Sequence, residues 1–124
     1  MSQVTGQIGE GIAEKYLLNK GYKLIARNER SKRGEVDLIM MDGETLVFCE
    51  VKTRVFSSDL SAFEAVTPKK RSALSKTAMT FIHNNRLYDH PARFDVVIIT
   101  GKDEQAQIEH IPNAFDFIRG RYFV

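Results

Sequence analysis

With 124 residues, 43% of them hydrophobic, the chain can bury one core but is too short for two ordinary domains, so a single domain over 1–124 is expected. One cysteine excludes an internal disulfide, and a net charge of +2 is too small to argue by itself for a polyanionic partner. No basic segment followed by an apolar stretch opens the sequence, and no apolar run approaches the length of a membrane span, so a cytoplasmic protein with no membrane partner is the expectation.

Val4, Ile8, Ile12 and Tyr16 recur at four-residue spacing with Ala13 and Leu17 beside them, which predicts a helix over about residues 3–20, stopped by Gly21. Residues 23–28 read as a short strand and 28–34 as a polar, charged, mobile loop. The clearest unit follows: residues 35–41 and 44–53 are rich in strand formers and are joined by Asp42-Gly43, a preferred hairpin dipeptide. Residues 55–66 look irregular. Thr67 and Pro68 supply an N-cap and a first helical residue, and Leu74, Ala78, Phe81 and Ile82 carry that helix to about Asn84-Asn85. Residues 93–100 read as a buried strand, 107–111 as a shorter one, and 113–117 as a last helical turn. The order α-β-β-β-α-β-β predicts an α/β fold, a mixed sheet flanked by helices.

Charge is distributed unevenly along the chain. Residues 20–34 hold six basic side chains against one acid; residues 35–51 hold five acids and no base; residues 52–76 hold six basic side chains against two acids. An acidic centre between two basic arms is what a metal site serving a polyanion needs, although solvated basic faces are the commoner origin of any one such run.

Side chains alternate along a strand, so Leu46, Phe48, Glu50, Lys52 and Arg54 share one side. A two-residue Asp42-Gly43 turn pairs Met41 with Glu44 and sets Asp37 opposite Phe48, diagonal to Glu50 on the same face. A three-residue loop would put Asp37 on the other face, so loop parity decides whether the two carboxylates can meet. The apolar neighbours Val47, Cys49 and Val51 make unpaired charges costly here, and Asp37, Glu50 and Lys52 therefore need one another or a metal. For an isolated E-x-K a salt bridge is the commoner outcome. With a second carboxylate on the partner strand, two hard oxygen ligands with room for solvent suit Mg²⁺ or Mn²⁺. His83, His90 and His110 lack ligand spacing and read as surface or packing residues, and Cys49 as a buried small hydrophobe.

The segments 34–39, with Asp37, and 47–54, with Glu50 and Lys52, resemble the D…ExK core of PD-(D/E)xK nucleases, including archaeal-type Holliday junction resolvases. The whole chain is similar to the YraN-like family of predicted endonucleases, through residues 6–10, Ala13, Tyr16-Leu17, Gly21-Tyr22, Arg27-Asn28, the hairpin, Ala65-Val66 with Lys70, residues 93–97 and residues 113–115. Val36 stands where the name-giving proline would be, and Cys49 replaces a more usual valine. The resemblance implies a restriction-endonuclease-like core, Asp37 and Glu50 as metal ligands, Lys52 near the attacking water, and Glu10 entering from the first helix. Helical spacing alone puts Glu10 at the edge of a row formed with Gly6, Ala13 and Leu17, where a surface glutamate is the simpler reading.

Lys69, Lys70 and Arg71 crowd the first turn of the second helix, where the helix dipole disfavours cations, so either a bound phosphate or plain solvent exposure should compensate. Asp95 interrupts an apolar strand and should pair with Arg93 or Arg27. The expected function is Mg²⁺- or Mn²⁺-dependent hydrolysis of a phosphodiester, with Arg30, Lys32, Arg33, Arg54, Lys69, Lys70 and Arg71 holding the backbone. Few stacking aromatics accompany these cations, which favours duplex or branched DNA over single strands. The alternative is a nucleic-acid-binding module on the same scaffold without turnover. A symmetric dimer would suit a two-stranded substrate, although no interface signature is visible.

Overall fold

Helix α1 (Ser2–Asn19) ends as its sequence dictates. Gly21 adopts φ +97°, the left-handed conformation that costs glycine little, and its N–H reaches Leu18 O at 2.9 Å while Tyr22 N–H reaches Leu17 O at 3.1 Å. The computed structural model describes residues 2–54, 66–101 and 105–117. The buried row of α1 runs through Gly9, Ala13 and Leu17, while Ile8, expected inside, is 49% exposed. The small residues win because the helix lies close against the sheet: a Cβ on Gly9 would stand 2.2 Å from Thr53 Cγ2.

Among the described residues five strands follow in spatial order β1-β2-β3-β4-β5: β1 (Lys23–Arg30), β2 (Glu35–Asp42), β3 (Thr45–Arg54), β4 (Ala92–Thr100) and β5 (Gln107–Phe115). Only β3 and β4 are parallel, and the chain between them carries helix α2 (Pro68–Asn84), as a parallel pair requires a long crossover. The result is an α/β arrangement with a mixed sheet and the element order α-β-β-β-α-β-β, that of a restriction-endonuclease-like core. Helix α2 begins as expected, with Thr67 Oγ1 accepting the Lys70 N–H at 3.2 Å and Pro68 in the first turn.

The two faces of the sheet carry separate cores. Leu46, Phe48, Phe94, Val96 and Ile98 pack beneath Leu74, Ala78, Phe81 and Ile82 of α2. On the opposite face Leu38, Met40, Val47, Cys49, Val97 and Ile99 pack against Ala13 and Leu17 of α1. β3 and β4 are thus covered on both sides, which explains why they read as near-continuous apolar runs. Among the described residues no helix is long and apolar enough to cross a membrane.

Several expectations need correction. β1 runs on to Arg30, and the supposed mobile loop shrinks to a turn over residues 31–34, closed by Ser31 N–H to Gly34 O at 2.9 Å and tied to α2 by Ser31 Oγ and Thr77 Oγ1 at 2.7 Å. The hairpin turn is Gly43-Glu44 rather than Asp42-Gly43: Asp42 pairs with Thr45, and Ile39, not Asp37, faces Phe48. Gly43 takes φ +60°, so the glycine occupies the first turn position and Asp42 closes the ladder. Residues 113–115 continue β5 instead of forming a helical turn, because Phe115 pairs with Phe94 and stacks on it at 4.8 Å between ring centres. The expected irregular segment lies outside the described residues apart from Val66, which is buried.

Candidate active site

The shifted hairpin register keeps the loop at two residues, so the parity on which the site depends survives and the geometry tightens. Asp37 lies one residue beyond the last pair, Leu38 and Cys49, and its carboxyl meets that of Glu50. Backbone pairing between β2 and β3 stops at that point, and the Val51 N–H donates to Asp37 Oδ2 at 2.8 Å. Alternation along β2 also breaks here. Val36 joins the core under α2 whereas Leu38 joins the one under α1, and Asp37 sits in the kink between them.

Glu50 and Lys52 lie on the α2 face of β3, as alternation requires, and α2 adds a second ammonium. Lys70 Nζ stands 2.7 Å from Glu50 Oε2 and Lys52 Nζ 3.6 Å from the same oxygen. The Glu50 side chain is 5% exposed against 26% for Lys52 and 40% for Lys70, so a buried anion is approached by two cations from the wetter side. Both act on Oε2 as charges. Lys70 is the nearer of the two, and beyond this ion pairing the described residues offer the buried Oε2 no further hydrogen-bond donor.

Asp37 and Glu50 are hydrogen-bonded to each other, and one proton serves both. Burial, together with the neighbouring Glu50 carboxylate, pushes the Asp37 carboxyl up to about 9. Burial also acts to raise Glu50, but the hydrogen bond from Asp37 and the two ammonium groups outweigh it and hold Glu50 below its ordinary value. Desolvation and the adjacent Lys70 lower Lys52. Lys70 loses by burial and gains more from Glu50, so it is raised. Glu10 is half-buried on α1, contributes to the field that raises Asp37, and is held by Asn28 Nδ2 at 2.9 Å. Asn28 reaches it from a left-handed backbone position, φ +50°.

Two buried carboxyls confined together can be neutralised by a proton, by neighbouring ammonium groups or by a hard divalent cation, and the oxygen donor set suits such a cation. Among the described residues no third acid, histidine or cysteine closes a three-ligand cluster, so an ion held here would complete its shell with solvent and substrate. Cys49 is fully buried and burial pushes its thiol well up, so it serves as a core side chain.

The basic residues divide by what they touch. Arg54 Nε donates to Thr100 Oγ1 at 2.9 Å, and Arg71 Nε donates to Val66 O at 2.9 Å with its guanidinium over the Phe115 ring. Arg30 lies 3.6 Å from Glu35 at the surface, while Lys32, Arg33 and Lys69 are exposed. Arg33 and Lys76 border a groove of about 430 Å³ along α2, shared with Met79, Thr80, His83 and Tyr88. Away from the site, Asp95 accepts Arg93 Nε at 3.0 Å and the Asn113 N–H at 3.0 Å, with His110 Nε2 at 2.7 Å; Arg27 instead holds Glu14 at 2.6 Å. Sequence reasoning thus found the Arg93 partner and missed His110, whose pairing depends on β5 lying beside β4. It also missed the inward turn of Lys70 and the close approach of Gly9. For the glycine a usable signal existed, since Gly9, Ala13 and Leu17 share a helical row.

The family model described as "Uncharacterised protein family UPF0102" matches residues 9–99, which include Glu10, Asp37, Glu50, Lys52 and Lys70. A UPF0102 protein of Geobacter metallireducens is 45% identical over 111 residues, covering 90% of this chain and 91% of the relative. One from Geotalea uraniireducens is 46% identical over 112 residues, covering 90% and 88%, and one from Carboxydothermus hydrogenoformans is 41% identical over 112 residues, covering 90% and 95%. By both the match to the family model and these near full-length relatives, the chain belongs to the uncharacterised protein family UPF0102.

Proposed function

We propose that this protein is a metal-dependent nuclease that hydrolyses DNA phosphodiester bonds, acting on duplex or branched substrates. The observation that supports it most is the convergence of the buried Asp37 and Glu50 carboxyls from adjacent strands, with the Lys52 ammonium beside them. Asp37 and Glu50 would hold Mg²⁺ or Mn²⁺. The bound ion would act as a Lewis acid toward the phosphate and the attacking water.

The remaining work falls to the chain's own groups. Lys52, half-buried and lowered by its surroundings, orients the water and stabilises the negative charge that develops on the phosphate. Glu10 on α1, held by Asn28 and contributing to the field at Asp37, would serve an outer-sphere role. Lys32, Arg33 and Lys69, exposed at the surface, supply backbone contacts that carry no sequence information, so binding should be steeply salt-dependent.

The test is cleavage of linear, flapped and four-way DNA with Mg²⁺ or Mn²⁺ by the wild type and by Asp37→Ala, Glu50→Ala and Lys52→Ala. Ion-dependent cleavage, reduced about 100-fold or more by each substitution, is the expected result. Cleavage untouched by all three would place the chemistry elsewhere, and ion-independent DNA binding without cleavage would favour a binding module.

A further inference from the structure

Three successive cations open α2, and the structure treats them differently. Lys69 is exposed, and Arg71 folds back on Val66 O and the Phe115 ring. Lys70 turns inward, to 2.7 Å from Glu50 Oε2, nearer than the 3.6 Å of Lys52. A cation in the first turn of a helix is opposed by the dipole. The position is maintained because the buried carboxylate requires a counter-charge and the capped helix start, with Thr67 Oγ1 on the Lys70 N–H, fixes where Lys70 begins.

The contacted carboxylate is also one that a divalent ion held by Asp37 and Glu50 would need. A second positive group against the same buried oxygen would be repelled strongly in a site so little exposed to water. Lys70 retains 40% exposure on a long flexible stem, so it can leave Glu50 without disturbing the backbone.

We propose that Lys70 is the resident cation of this site, displaced from Glu50 Oε2 by an arriving divalent ion and thereby presented to the substrate phosphate. The inference rests on the metal reading above and assigns Lys70 a positioning role distinct from that of Lys52. It keeps the carboxylate pair neutralised before the ion arrives, and it couples loading of the ion to exposure of an ammonium that can grip a phosphate.

The first experiment uses the unaltered protein. A brief pulse of an amine-acetylating reagent, read by tandem mass spectrometry, compares Lys70 with its exposed neighbour Lys69, with and without saturating Mn²⁺. Lys70 should be slow to react without the ion and react several-fold faster with it, while Lys69 stays unchanged. Equal or slower reaction of Lys70 on ion binding overturns the proposal. The second is calorimetry with Mn²⁺: Lys70→Met should bind the ion at least about tenfold more tightly than wild type, and more tightly than Lys52→Met, because it removes the direct competitor. Unchanged or weaker binding by Lys70→Met sinks the displacement alone, whereas no ion binding by wild type or either variant sinks the metal reading with it.

Discussion

Asp37 Oδ2 accepts the Val51 N–H at 2.8 Å just where β2 and β3 cease to pair, so the backbone fixes the carboxyl that carries the raised pKa. In the absence of an ion that group keeps its proton up to about pH 9, and an ion taking its place must expel it. Ion affinity should therefore rise with pH, by roughly tenfold per unit, and level off once the folded Asp37 ionises unaided. Calorimetry with Mn²⁺ between about pH 6 and pH 9, in buffers of differing protonation enthalpy, should show about one proton released per ion at the lower end. Affinity flat across that range would contradict the shared-proton description. Asp37→Asn retains an oxygen for Val51 and should preserve the fold while losing the ion.

Gly9 and Thr53 form a size-matched contact between α1 and β3. Adding a methyl group at Gly9 would bring its Cβ to 2.2 Å from Thr53 Cγ2, but only to 3.7 Å from Thr53 Cβ. Gly9→Ala should cost about 1–3 kcal/mol by overpacking, and Thr53→Ala in the same chain should recover most of that loss. Chemical denaturation of the two single variants and the double variant measures the coupling. Strict additivity would show that the helix moves freely aside.

Asp95 makes the opposite contribution to acid stability from Asp37. Burial acts to raise it, but His110, Arg93 and the Asn113 N–H together hold it below the ordinary carboxylate value. A depressed folded-state value means that this stabilisation is fully present above the unfolded carboxylate range and is lost as pH falls through the folded one. Asp95→Ala should cost about 3 kcal/mol near neutrality, since it removes the buried acceptor shared by Arg93 Nε, His110 and the Asn113 N–H and leaves Arg93 only Asp42 and Tyr22, and should flatten the acid limb of the stability curve. Thermal melts from about pH 7 down to about pH 3 test this; a variant that loses stability in parallel with wild type over that range would rule it out.

Arg33 and Lys76 border the groove along α2, outside the carboxylate site. If they contact DNA phosphates, Arg33→Glu with Lys76→Glu should weaken binding of every sequence alike and reduce the slope of log affinity against log salt by about two. Fluorescence anisotropy at several salt concentrations provides the measurement. An unchanged slope would place the nucleic acid on another surface.

Much of this was legible in residue order because the hairpin is local. Alternation from Leu46 to Lys52 assigns a face to Glu50, and the even loop length brings Asp37 to it whether the turn starts at Asp42 or Gly43. What could not be read were contacts made by docking. Lys70 reaches Glu50 only because the crossover places α2 over that face, and His110 meets Asp95 only because β5 returns beside β4. The last residues of β5 have weak strand character of their own and are held by the Phe94–Phe115 pairing, which outweighs local preference.

The borders of the sheet are irregular on both sides. β1 carries a bulge between Leu24 and Ala26 and charged residues at Lys23, Arg27, Glu29 and Arg30, and β5 contains Pro112, which has no N–H, beside a register shift opposite Asp95. Neither border presents an unbroken row of main-chain donors and acceptors to a passing extended peptide. Joining two copies edge to edge into one continuous ribbon is thereby disfavoured, and protection against templated aggregation is part of the fold.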